Sequence, residues 1–139
     1  MSFDLEEARR FFALAPFMVD LGITPTHAGS GTMTTELTIA QHHLQHIGQV
    51  HAGVMATIAD HTMGAAAQTL AAPGTWVVTA EFKTSLLRAA KGERLVCEAR
   101  VLKPGRQISF TEAEVYAVTG DERTLVAKAS ATMAVTTPR

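Results

Sequence analysis

The 139-residue sequence has one cysteine, Cys97, so no disulfide can close within the chain. That suits a reducing compartment, and the cytoplasm is the expected location. Net charge is small, −1 at pH 7, so no basic surplus draws the chain to nucleic acid or to an anionic membrane surface. No secretory signal is expected at the start, where MSFDLEEARRFF sets acids ahead of basic residues and lacks an apolar core. Internal repeats, linkers and low-complexity tracts are missing too. What remains is apolar: 47% of the residues are hydrophobic and 18% charged. That composition suits one compact domain over residues 1–139 and argues against disorder.

From Ala52 to Ala72 a single residue, Asp60, is charged, and the run is about as long as a membrane span. A central Asp costs roughly 2.5–3.5 kcal/mol on insertion, which alanines and threonines do not offset. The run therefore predicts a helix, apolar or small all round, buried inside a protein.

Residues 4–14, DLEEARRFFAL, predict a short amphipathic helix with Leu5, Ala8, Phe11 and Phe12 on one face. Pro16 is expected to close it, and MVDLGITPT to open a first strand. In GTMTTELTIA, Met33, Thr35, Leu37 and Ile39 alternate with polar residues, which predicts a strand over 31–40. After Pro73-Gly74 come four strand-like runs, TWVVTAEFKTSLL, GERLVCEARVLK, RQISFTEAEVYAV and RTLVAKASATMAV. Between them, Lys91-Gly92, Lys103-Pro104-Gly105-Arg106 and Gly120-Asp121 predict tight turns, and hence an antiparallel meander. One such sheet curled around the long helix buries it, an α+β arrangement. The helix's outer face is then left for a second copy of the chain, so a dimer at least is expected.

Asp60 sits well past the helix-start positions where a carboxylate is routine, and Asp is a poor residue for a helix interior. Two explanations stand side by side. The carboxylate is hydrogen-bonded at a gap or subunit boundary, or it is catalytic and set in apolar surroundings. Upstream, Gly48 and Gly53 flank a turn that enters the helix near Ala52. Unpaired N–H groups at such a start can hold a developing oxyanion. At ~1.5 Å rise per residue, that start lies roughly 12 Å from Asp60, too far for one reaction centre. If both serve the same chemistry, they come from two chains whose helices run side by side.

The segment fits G-x-x-H-[GA]-G-x-x-x-[TS]-x-x-D, from Gly48 through His51, Ala52, Gly53 and Thr57 to Asp60. With the strands that follow, this resembles the hotdog-fold acyl-CoA thioesterases of the phenylacetate (PaaI-like) type, and the resemblance covers essentially the whole chain. It implies a curved antiparallel sheet wrapped around one long central helix, acyl-CoA as substrate and no cofactor. It also implies a homo-oligomer, a dimer or a dimer of dimers. By the same resemblance Asp60 is the catalytic carboxylate, as general base or as nucleophile. The Ala52 N–H is the oxyanion donor, where relatives commonly have glycine. Gln45 stands where relatives often have asparagine against the thioester carbonyl, and Thr79 of VVTAEF where a hydroxyl orients water. Gly53 and His46 are added as substrate-binding candidates because they stand beside these positions in the sequence; the resemblance itself assigns His46 no role. Neither D-x-x-x-H-x-N near the first strand nor the D-x-x-P-x-H of hydratase relatives is present, which favours hydrolysis over hydration.

Five of the six histidines fall between 42 and 61, but without H-E-x-x-H or H-x-x-E-H spacing, and no metal site is expected. Between residues 83 and 106 seven basic residues face two acids, which suits the phosphates of coenzyme A. Arg88, Lys103 and Arg106, beside turns, are the chosen candidates. Phe12, Phe17, Met18, Met55 and Met63 are read as core before acyl tunnel. The competing function is a hotdog protein that binds acyl-CoA or lipid without hydrolysing it.

Overall fold

The computed structural model describes residues 3–137. Helix α1 (Leu5–Ala13) is capped by Asp4, whose carboxylate accepts from the Glu7 N–H at 2.9 Å, and it buries Ala8 and Phe12. Pro16 begins a second helix, α2 (Pro16–Leu21), where a strand was expected. Proline is at home in a first helical turn, because its missing N–H would have had no partner there. Gly22, at φ 79°, then ends the helix.

Strands β1 (Thr24–Gly29) and β2 (Thr32–Thr38) form a hairpin. A single 3-10 turn at Gln41–His43 leads into the long helix α3 (Ala52–Gln68), four residues shorter than the apolar run. Four strands follow: β3 (Trp76–Leu86), β4 (Arg94–Lys103), β5 (Ile108–Thr119) and β6 (Glu122–Thr136). The result is one six-stranded antiparallel sheet in the order β1-β2-β4-β5-β6-β3. It curls around α3 as expected. The meander holds for β4–β5–β6 only, because β3 pairs with β6, from Trp76↔Thr136 to Leu86↔Ala127. Residues 87–93 therefore cross from one side of the sheet to the other, and Lys91-Gly92 is part of that crossing instead of a hairpin turn. The crossing is pinned where the Leu87 N–H donates to the Val126 carbonyl at 2.8 Å.

The core lies between α3 and the concave face of the sheet. Ile58, Ala59, Met63 and Ala66 of the helix are buried with Met33, Leu37, Leu95, Val115 and Met133 of the strands. Each large side chain buried this way contributes about 1.5–3 kcal/mol. Alanines at 127, 129 and 131 keep the β6 wall low, so the helix lies close to it. Phe12, Met18, Met55 and Met63 belong to this core, while Phe17 is exposed. One polar link crosses it. The Thr62 hydroxyl donates to the Ile58 carbonyl, so it must accept from Thr35 across 2.6 Å.

His43 is buried and structural. Its Nδ1 accepts from the Ala40 N–H at 2.9 Å, so Nε2 carries the proton and donates to the Leu21 carbonyl at 2.8 Å. That clamp holds the segment leading to α3 against the end of α2.

Candidate active site

Asp60 projects from the one side of α3 that the sheet does not cover, along with Ala56, Thr57 and Gly64, all half-buried. Its Oδ1 accepts a 2.6 Å hydrogen bond from the Thr79 hydroxyl. Thr79 owes its aim to an irregularity in β3. Its ladder partner is the buried Met133, and Phe82, three residues on, has the inward-facing Ala131; Ala80 is the extra, unpaired residue between. Among the described residues nothing bonds Oδ2.

The neighbouring His61 points elsewhere. Its ring lies edge-on to Phe12 at 4.5 Å, with Nε2 buried and unpartnered. Burial pushes the imidazole below its ordinary pKa, and the Asp60 carboxylate only partly offsets that. Burial likewise pushes the Cys97 thiol up to about 12, so it stays protonated and is no nucleophile.

At the helix start, His51 is the N-cap: its Nδ1 accepts from the Gly53 N–H at 2.8 Å. Gly53's donor is thereby spent within the chain. The Ala52 N–H has no acceptor among the described residues and is exposed. Gln45 braces the preceding turn, its Oε1 accepting from the Ile47 N–H at 2.7 Å and the Gln49 N–H at 3.3 Å. With the oxygen fixed by two backbone donors, the amide must present its NH₂ on the other side. Gln45, His46, His51, Ala52, Met55 and Arg88 line one cleft, and Arg88 is anchored there by its Nη1 on the Leu125 carbonyl at 2.9 Å.

The expected site residues thus fall into two groups spaced along one helix. Gln45, His46, Ala52, Gly53 and Arg88 gather at its start; Asp60 and Thr79 stand two turns on. Lys103 and Arg106 are in neither, since the β4–β5 turn lies at the opposite end of the sheet from Arg88. Among the described residues no three His, Cys, Asp or Glu side chains come together as metal ligands. Sequence reasoning missed Gln68, whose amide ties α3 to the start of β3 through the Thr75 carbonyl at 3.0 Å and the Val77 N–H at 3.1 Å. Its place two turns beyond Asp60 on the same helix face was the available signal.

A six-stranded antiparallel sheet closed around one long helix, with a carboxylate on the helix's open side, defines a hotdog-fold protein. The family model of the thioesterase superfamily matches residues 47–124, and the chain belongs to that superfamily. The human acyl-coenzyme A thioesterase 13 is 32% identical over 96 residues, 67% of this chain and 66% of the relative. The match thus spans just under two thirds of that protein's length. A thioesterase family protein of Silicibacter pomeroyi is 32% identical with a TM-score of 0.91, covering 94% of this chain and 96% of its own. The PaaI protein of the Escherichia coli phenylacetic acid degradation operon shares the fold, with a TM-score of 0.82 at 18% identity, covering 93% and 90%.

Proposed function

We propose that the protein hydrolyses acyl-CoA thioesters at a site shared between two subunits. The observation that carries this is the split: a free backbone donor at Ala52 and a Thr79-bound carboxylate at Asp60 on one helix, roughly 12 Å apart at ~1.5 Å per residue. The long strand β3 is an edge of the sheet, and its apolar residues Phe82 and Leu86 are 44% and 52% exposed. Beside it runs the small-residue side of α3. Pairing this edge with the same edge of a second copy, antiparallel, sets the two helices side by side and brings Asp60 next to Ala52 of the partner subunit.

In such a site the thioester carbonyl rests against the Ala52 N–H and the Gln45 NH₂ of one subunit. Asp60 of the other takes a proton from water as the water oxygen attacks the carbonyl carbon, or attacks that carbon itself. Thr79 keeps the carboxylate aimed. Negative charge gathers on the carbonyl oxygen, where the two donors meet it, and collapse expels CoA thiolate. With water as nucleophile this leaves the free acid; with Asp60 as nucleophile it leaves an acyl–Asp60 anhydride, which a water molecule then hydrolyses to the free acid and the regenerated carboxylate. Arg88 lies in the Ala52 cleft and would hold CoA phosphate. Lys103 and Arg106 would approach that cleft only from the partner, whose sheet end the antiparallel pairing brings near. The reading extends to a cytoplasmic oligomer. An apolar patch on the sheet's outer face, Val78, Leu102, Ile108 and Phe110, each 48–58% exposed, supports a dimer of dimers.

Asp60→Asn keeps the shape and removes the base. CoA release, followed by thiol titration, is expected to fall a hundredfold or more in kcat, on the order of a lost general base. Undiminished kcat in that variant would refute the assignment.

A further inference from the structure

β3 is an edge of the sheet, and the backbone groups on its open side are those a second copy would pair with. Which groups those are follows from β6. The Val135 N–H, opposite Val77, donates away from β3, to the Gln107 carbonyl at 2.8 Å. Val77 and Val135 are therefore a pair without mutual hydrogen bonds, and the Val77 N–H points to the open edge. The Thr75 carbonyl, two residues back, points the same way. Both are already taken. Gln68, the last residue of α3, donates from Nε2 to the Thr75 carbonyl at 3.0 Å and accepts on Oε1 from the Val77 N–H at 3.1 Å. One donor and one acceptor set against these edge groups are what a residue of an added strand would offer. The side chain thus closes the first pairing position of β3. Between the two capped groups, Trp76 is stacked on Phe11 of α1, ring centres 5.5 Å apart and planes 23° from parallel. At its other end the edge stops after Leu86, where the Leu87 and Arg88 N–H groups both turn to the Val126 carbonyl, at 2.8 and 3.3 Å.

The register of a strand pair is guarded unevenly. A slip by one residue would exchange the faces of β3, turning Phe82 and Leu86 out and Glu81 and Lys83 in, and the apolar pattern excludes it. A slip by two residues keeps every face as it was, so the pattern offers no defence. It nevertheless slides one subunit along the other by about 7 Å, at ~3.4 Å per residue. A thioester carbonyl held at Ala52 would be carried that far from Asp60 of the partner subunit, well beyond the ~3 Å reach that proton transfer needs. Something other than the apolar pattern has to forbid this slip.

We infer that Gln68 is a positioning residue for the shared site: its amide stops the paired β3 strands of two subunits from slipping toward their starts, and so fixes Asp60 of one subunit against Ala52 of the other. The inference rests on the two-subunit reading above. The stop acts twice in each dimer, because antiparallel pairing brings both strand starts into play together. A slip that adds a pairing position at one Val77 adds it at the other, and both positions are filled by Gln68. In the opposite direction the strand runs out at Leu86.

Distances between copies in the oligomer read the register directly. Cys97 is the sole cysteine and is fully buried, so a nitroxide on Thr124→Cys labels each copy once. Thr124 is exposed on β6, past Ala127, the ladder partner of Leu86. By double electron–electron resonance, the pair joined through β3 should give one distance when Gln68 is in place. Gln68→Leu should add a second population about 7 Å longer, because a slip toward the strand starts moves both labels away from the two-fold axis. In CoA release, kcat should fall by the fraction of dimers that leave the first population, while KM, set by those that remain, stays within twofold. Gln68→Ala makes the same measurement should leucine disturb folding. A single, unmoved distance in the variant overturns the stop whatever happens to kcat, because Gln68 then acts inside its own subunit. A protein that is monomeric by light scattering with Gln68 intact defeats the two-subunit reading, and the stop with it.

Discussion

The hydroxyl pair in the core makes an asymmetric prediction. Thr62 and Thr35 are both fully buried, and the only proton on the Thr62 oxygen goes to the Ile58 carbonyl. Thr35 is therefore the donor between them. Thr62→Val, nearly isosteric, leaves the Thr35 hydroxyl proton buried without an acceptor, at a cost of about 1–3 kcal/mol. Thr35→Val leaves Thr62 still donating to Ile58, and only one ordinary bond is lost, about 0.5–1.5 kcal/mol. With both hydroxyls gone no orphan remains, so the double variant should be less damaged than Thr62→Val alone, with a coupling of about 0.5–3 kcal/mol. Urea unfolding at one fixed protein concentration reads all four corners of the cycle. In a thermal scan the Thr62→Val loss should amount to roughly 3–4 °C per kcal/mol for a chain of this size. Equal losses in the two single variants, or strict additivity, would refute the donor assignment. The link matters for function because it fastens to β2 the same helix turn that carries Asp60.

Two further outcomes follow from the charged groups. Arg88→Ala should raise KM for an acyl-CoA by roughly tenfold or more, as for a lost hydrogen bond to a charged group. The same variant should show no such rise with the matching acyl-pantetheine, which lacks the nucleotide; an equal rise with both would take the phosphate role from Arg88. Glu114 is held down to about 2, first by Arg100, which grips it with nitrogens at 2.8 and 2.7 Å, then by Lys128 at 2.8 Å. A carboxyl depressed on folding stabilises fully above its unfolded value of about 4.3 and loses that contribution as pH falls through its folded value. Glu114→Gln should therefore flatten the loss of stability between about pH 4.5 and pH 2 in stepped urea titrations. Parallel curves for the two proteins would count against it.

Local pattern carried the elements whose information is local. The alternation of Met33, Thr35 and Leu37 marks a buried face because every second residue of a strand shares a side, and all three are buried. Ala52 starts α3 where the glycine-flanked turn put it. Pro16 was misjudged because proline opens helices as readily as it follows them, and the difference is made by Phe17 to Leu21 continuing the turn. The place of β3 was hidden for another reason: its partner β6 lies at the far end of the chain, and no turn residue encodes such a pairing. In the site, Asp60 stood out because a charge in an apolar helix is conspicuous in any sequence. The locked oxygen of Gln45 and the stacking of Phe11 on Trp76 did not, since each depends on atoms brought together only by the finished fold.

The extra residue in β3 works as a change of parity. In an unbroken strand, positions 79, 81 and 83 would share a side, and a chain that turned Thr79 toward the helix would turn Glu81 and Lys83 inward with it. Counting Ala80 twice over shifts the phase. Thr79 meets the carboxylate, Glu81 and Lys83 go out to solvent, and Phe82 faces in beside the helix. What matters at position 80 is that a residue is there, more than which one. Replacing Ala80 with another small residue leaves the count intact, whereas deleting it would exchange the two faces of half the strand.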